Sequence, residues 1–186
     1  MPKIDNHLEN AILLMPEKDK NKLLIRLISK DTLLTAQLEH QLLGDEEIMI
    51  ERRNELLNDI ETISSKTHFN NPIYILKEMR GVSGLITYHY KVTKDKFGEV
   101  LLLSSMVNYF FYNQLTILNQ NFRDADAFAE YVVKKAISVL NKVQKLHPDF
   151  YIELESSINE MLDYIYSYKP CEYFLKIYPL PRRFNK

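Results

Sequence analysis

The sequence predicts an all-α fold, and three features of its composition and patterning support that prediction. Only 4 of the 186 residues are glycine, so few positions suit the tight turns with positive φ that sheets need. No proline lies between Pro72 and Pro148, and proline is the residue that most strongly breaks helices. Apolar residues also recur at intervals of three and four. We expect about eight helices in antiparallel hairpins, forming a compact helical bundle or a short HEAT-like helical array.

Length, charge and cysteine content predict a single domain in the cytoplasm. A chain of 186 residues buries on the order of 70% of its unfolded surface, so its core needs neither a metal nor a disulfide. The lone Cys171 has no partner for an internal disulfide, and the first ten residues lack the apolar run of a secretory signal. We therefore expect one domain over residues 1–186 and a cytoplasmic location.

Four helices are predicted in the first third of the chain. The first stops near Pro16, the second follows it directly, Asp31 can cap the third, and Gly44 can end it. Leucine or isoleucine recurs every three or four positions in the later helices of this group. The predicted ranges are 6–15, 17–29, 31–44 and 45–65.

The segment that follows Asn71-Pro72 is predicted to be helical, with a β-hairpin as the alternative. Asparagine followed by proline suits the cap and the first position of a helix. Two glycines weaken a helix here, however, and residues 86–92 alternate as in a strand, so residues 84–100 also fit a short hairpin. We favour the helix, because an isolated hairpin is marginally stable and no other segment offers it a sheet.

The next helix, over residues 97–119, is the most apolar in the chain and is expected at the centre of the fold. Glu99 is its one charged residue. It is long enough to span a bilayer, but polar residues such as Ser104, Asn108 and Gln114 interrupt it. A buried core helix is the preferred interpretation, and a membrane span is the alternative.

The last two predicted helices show the clearest periodicity. Apolar residues step by three and four over 128–146 and again over 151–168, and a proline-containing turn separates the two segments. Asp124 or Asp126 is the candidate N-cap of the first. Residues 169–186 lack helical spacing but are too apolar for a free tail. We expect this C-terminal extension to dock on the helices.

No motif for catalysis, metal binding or cofactor binding stands out. The five histidines form no HxxxH pair, and Gly81-Val82-Ser83-Gly84 is too short for a phosphate-binding loop. Cys171 lies beside Glu172, whose charge raises a thiol pKa. The sequence therefore predicts no cofactor and favours a protein that is not an enzyme. A helical enzyme whose site assembles from distant residues is the alternative, and a pocket joining His89, Tyr109 and an acidic residue would support it.

Two rows of like charge predict a protein-binding surface. Same-sign neighbours at i and i+4 destabilise a helix by roughly 0.2–0.5 kcal/mol each unless a partner offsets the repulsion. Both rows point away from the apolar side of their own helix, so another molecule reaches them more easily than the rest of the chain does. The basic row is Lys18, Lys22, Arg26 and Lys30, and the acidic row is Glu47, Glu51, Glu55 and Asp59.

A second candidate surface interleaves aromatic rings with cations, as sites for single-stranded nucleic acid do. Packing of its tyrosines against neighbouring helices is the simpler interpretation. Its residues are Tyr88, His89, Tyr90, Lys91, Lys94 and Lys96.

The favoured function is a noncatalytic helical protein-interaction module. We expect a protein partner or self-association and no membrane partner. Binding of single-stranded nucleic acid through residues 88–96 is the alternative.

Overall fold

Helices form all the regular structure in the residues that the computed structural model describes, which are 4–66, 69–120 and 125–185. The all-α prediction is confirmed. The chain divides into two units, Met1–Gly44 and Asp45–Lys186. The expectation that residues 1–186 form one domain stays a prediction. The first unit contains α1 (Asn6–Leu13), α2 (Glu17–Ile28) and α3 (Thr32–Leu43). The second contains α4 (Glu46–Ser64), α5 (Pro72–Thr93), α6 (Lys96–Leu118), α7 (Ala125–Val143), α8 (Asp149–Ser167) and α9 (Cys171–Ile177).

Side-chain caps explain where several helices begin. Asp31 accepts a hydrogen bond from the Leu34 amide at 3.0 Å and so begins α3, and Asn71 begins α5 in the same way, both as predicted. Asp124 lies outside the described residues. Asp126 is in the first turn of α7 and is not the residue preceding it, a position where the helix dipole still favours a carboxylate.

The segment that fitted either a helix or a hairpin is helical. Residues 84–100 form the end of α5, a tight turn and the start of α6, so the hairpin alternative is wrong. Lys94 makes the turn in the left-handed conformation, with φ of 58° and ψ of 20°. This turn brings α5 and α6 together as a packed helical hairpin.

Helix α6 occupies the centre of the second unit, as its apolar sequence predicts. It packs against α4, α5, α7 and α8, and more than half of its residues are buried, including Leu102, Met106 and Phe110. The buried-helix interpretation is therefore confirmed. No helix within the described ranges combines the length and apolar character needed to cross a membrane.

The C-terminal extension packs against other helices of the second unit, and it contains a short helix that the sequence pattern did not predict. Helix α9 packs mainly on α7, and Leu180 and Phe184 beyond it are buried. The side chain of Asn159 in α8 forms two hydrogen bonds with the backbone of Phe184. Its Oδ1 accepts from the Phe184 amide at 2.8 Å, and its Nδ2 donates to the Phe184 carbonyl at 3.1 Å. The described residues therefore contain nine helices where about eight were expected.

Candidate functional site

The basic row lies on the exposed surface of the first unit. Lys18, Lys22 and Arg26 belong to α2 and Lys30 follows its end, and all four are exposed. No carboxylate in residues 4–44 forms an ion pair with any of them. The repulsion along the row is therefore not offset inside this unit.

One exposed apolar side chain lies beside the basic row, and two more are exposed on other sides of α2. Leu24, Ile25 and Leu27 of α2 are all exposed, and Ile25 is 67% exposed. Ile25 is three residues from Lys22 and so shares its face of the helix. None of the described residues in α1, α2 or α3 is buried. Exposed apolar surface of this kind is typical of protein-binding sites.

The acidic row lies along the outer face of α4. Glu47, Glu51, Glu55 and Asp59 are all exposed, and Asp45 begins the helix by accepting from the Ile48 amide at 2.9 Å. Ile48 is three residues from Glu51 and is 47% exposed. The acidic row therefore combines charge with exposed apolar area, as the basic row does.

The two tyrosines of 88–96 lie on different sides of α5, and the ammonium of Lys94 lies 5.9 Å from the Tyr90 ring. At about 100° per residue, Tyr88 and Tyr90 point to different sides of α5. The Tyr88 ring lies 5.9 Å from the guanidinium of Arg52, whereas the Tyr90 ring lies 5.8 Å from the ammonium of Lys142. His89 is only 1% exposed.

His89 is therefore not part of a nucleic-acid surface, and this element of the prediction is wrong. The helical period places it toward the core, as expected for the residue between two outward-facing neighbours. Lys91, Lys94 and Lys96 are exposed. Their role in binding nucleic acid stays a prediction.

His89 belongs to a buried polar cluster that sequence reasoning missed. Its Nε2 lies 3.6 Å from Oδ2 of Asp95, and Nη1 of Arg53 lies 3.1 Å from the same oxygen. Burial raises the pKa of Asp95, but the contacts with His89, the Gly98 amide and the Arg53 charge outweigh that effect and leave this pKa below its ordinary value. In the sequence, the charged residues around Asp95 resemble an ordinary exposed turn. Nothing in that pattern indicates that Asp95 contacts Arg53 of α4.

The enzyme alternative receives no support from the described pockets. His89 borders a pocket of about 170 Å³ with Glu55 and Asp59, whereas Tyr109 borders a separate pocket with Glu160. The histidine and the tyrosine therefore do not converge. No group of three or more possible metal ligands occurs among the residues that the structure describes.

Cys171 does not resemble a nucleophile. Its side chain is buried, and its Sγ lies 3.9 Å from the Ala129 carbonyl oxygen. Burial raises the pKa of the thiol to about 12, so the thiol stays protonated at neutral pH.

The two charge rows and the apolar side chains beside them are therefore exposed and open for binding. No protein-family model, no curated protein and no solved structure matches the chain.

Proposed function

We propose that the chain is a noncatalytic protein-interaction module that binds a second copy of itself, with the basic row of one copy against the acidic row of the other. One observation carries this proposal. The described residues of the first unit bury no side chain, although its helices carry many leucines. Helices of 8 to 12 residues are marginal alone, because most helical stability in proteins comes from packing an apolar face. These helices therefore need a surface to pack on.

The two rows match in spacing. Each places four like charges at every fourth position, from Lys18 to Lys30 and from Glu47 to Asp59. At 1.5 Å per residue, the acidic row is roughly 18 Å long and the three basic residues on α2 span roughly 12 Å, so opposite pairs can form along the contact. Because an exposed pair contributes only about 0–1 kcal/mol, the charges select the partner and the register more than they supply affinity.

Apolar contacts supply most of the affinity in this arrangement. Ile25 lies beside the basic row, three residues from Lys22, and Ile48 and Ile50 lie beside the acidic row. Because these side chains are about half exposed, burying each contributes on the order of 1 kcal/mol. In a two-fold symmetric dimer every contact occurs twice.

Light scattering at several salt concentrations tests the proposal. The wild type should have a mass above 22.0 kDa at low salt, and this mass should fall toward that of one chain as salt screens the rows. Lys18→Glu/Lys22→Glu should abolish the association. Lys77→Glu/Lys145→Glu changes the net charge equally at exposed positions of the second unit and should leave the association intact.

Two results would contradict the proposal. One is a mass of a single chain at every protein concentration and at low salt. The other is an oligomer whose mass is unchanged by the Lys18→Glu/Lys22→Glu substitutions.

A further inference from the structure

A small pocket between α6 and α8 contains one buried hydrogen-bond acceptor that has no partner among the described residues. Its volume is about 220 Å³. It lies in the second unit, near the middle of α6 and of α8. The lining residues are Ser105, Asn108, Tyr109, Tyr112, Ser157 and Glu160.

Two donors in this wall, the Asn108 amide and the Ser157 hydroxyl, are already used within the protein. Nδ2 of Asn108 donates to the Ser157 carbonyl oxygen at 2.9 Å and to Oε2 of Glu160 at 3.0 Å. The Ser157 hydroxyl donates to the Ser104 hydroxyl at 2.8 Å. Asn108 and Ser157 therefore offer a ligand acceptor atoms and no free donors.

The acceptor on Asn108 is unsatisfied. Asn108 is 7% exposed, and its Oδ1 is buried without a hydrogen-bond partner in the part of the chain that the structure describes. A buried acceptor without a donor is unfavourable, because the oxygen has lost its hydrogen bond to water and gained none in the protein. A ligand that donates a hydrogen bond would remove that cost.

The pocket also carries a negative charge, on the Glu160 carboxylate. No lysine or arginine among the described residues forms an ion pair with Glu160. Burial raises the pKa of the Tyr109 phenol, and the charges of Glu61 and Glu160 raise it further, as a negative local potential requires. Such a potential attracts a cation and repels an anion.

Tyrosine rings complete the lining. Tyr109 is half-buried in the wall, and Tyr112 is exposed at the surface. Aromatic faces attract ammonium groups through their quadrupole, and they pack well against an alkyl chain. Acceptors, negative charge and aromatic rings are together the features that recognise an alkylammonium ion.

We propose that this pocket binds a primary ammonium group, carried either by a small free amine or by a lysine side chain of another protein. The group supplies N–H donors to Asn108 Oδ1 and to Glu160, and its positive charge compensates the carboxylate. A neutral or anionic ligand supplies only part of this match. No residue of either charge row lines this pocket, so the proposal does not rest on self-association.

Calorimetric titration of the full chain with butylammonium chloride tests the site, with 1-butanol as the uncharged probe of similar shape. Butylammonium should bind at least tenfold more tightly than butanol. Glu160→Gln should weaken butylammonium binding by at least tenfold, because it removes the charge and keeps the side-chain shape. Glu153→Gln makes the same change at another exposed position of α8 and should alter the affinity less than twofold.

The side-chain amide of Asn108 gives a second readout by NMR. Its ¹⁵N resonance should shift on titration with butylammonium in the wild type and much less in Glu160→Gln. Circular dichroism establishes that both glutamate variants keep the helical content of the wild type.

Peptides distinguish the two sources of the ammonium group. Gly-Gly-Lys-Gly-Gly binding at least tenfold more tightly than butylammonium, with loss of binding when the lysine is acetylated, assigns the site to a lysine side chain. An equal or weaker peptide affinity assigns it to a free amine. The proposal is overturned if butylammonium and butanol bind equally, if neither binds, or if Glu160→Gln leaves the affinity unchanged.

Discussion

Arg53 and Asp95 lie 42 residues apart in the sequence and form an ion pair between α4 and the start of α6. Their Nη1 and Oδ2 atoms are 3.1 Å apart, and the side chains are 14% and 4% exposed. The same carboxylate caps α6 by accepting from the Gly98 amide at 2.7 Å, and it contacts His89 of α5. The Asp95 carboxylate therefore links α4, α5 and α6.

Removing the guanidinium should destabilise the protein strongly. Arg53→Met keeps most of the side-chain volume but leaves the Asp95 carboxylate buried without its cation, which should cost about 3 kcal/mol of unfolding free energy. Urea denaturation measures this loss. Arg183→Met is the matched control, because its ion pair with Asp163 is 58% exposed on each side, and it should change stability by less than about 0.5 kcal/mol. Equal losses in the two variants would contradict this assignment.

Stability should depend on pH through Asp95. Because the folded state lowers its pKa, the carboxylate contributes stability that is fully present above its unfolded pKa of 3.8 and is lost as pH falls through the folded value. Asp95→Asn should therefore be less stable than the wild type at pH 7. The difference should shrink below about pH 4, as followed by denaturant midpoints. A difference that stays constant from neutral to strongly acidic pH would count against this cause.

A side chain at position 98 should lower the stability of the protein. A Cβ there would collide with the Asp95 carboxylate and lie 2.8 Å from Cδ of Arg53. Gly98→Ala should destabilise the protein by about 1–3 kcal/mol. A Cβ at Gly81 or Gly84 of α5 meets no atom within 4 Å, so alanine there should stabilise the helix by up to about 1 kcal/mol. Thermal unfolding of the three variants checks the contrast. A stabilising Gly98→Ala would refute the close packing of this turn.

The docked C-terminal extension should protect Cys171 from thiol reagents. The thiol is buried, and burial raises its pKa to about 12, so its reaction with Ellman's reagent should be slow in the native protein and fast in urea. Phe184→Ala removes a buried side chain that Asn159 holds at the backbone, and it should speed the native reaction by loosening the extension. Fast reaction of the native wild type would show that α9 does not dock as described.

The helices could be predicted from the sequence because their signals are local. Asp31, Asn71 and the run of apolar residues in α6 each act within one or two turns of chain, and the structure confirms them. Helix α9 could not be predicted in the same way. With only seven residues, it shows too few turns for a period, and its stability comes from packing on α7.

The interior contacts of the candidate sites could not be predicted, because they join residues that are distant in sequence. Asn108 meets Ser157 and Glu160 only after α6 and α8 pack together, and Arg53 meets Asp95 only after α4 and α6 do. The prediction for His89 was wrong for a different reason. Its neighbours in sequence suggested a surface residue, but the helical period turns it inward.

Mixing two charge-reversed variants tests self-association most directly. One variant carries Lys18→Glu, Lys22→Glu and Arg26→Glu, so both of its rows are acidic, and the other carries Glu47→Lys, Glu51→Lys and Glu55→Lys, so both are basic. Each row of one variant then faces an opposite row of the other, whereas identical copies repel. Sedimentation equilibrium should show each variant alone as one chain and the equimolar mixture as a complex of one copy of each. A mixture that stays monomeric, or single variants that still self-associate, would contradict the proposed contact between the rows.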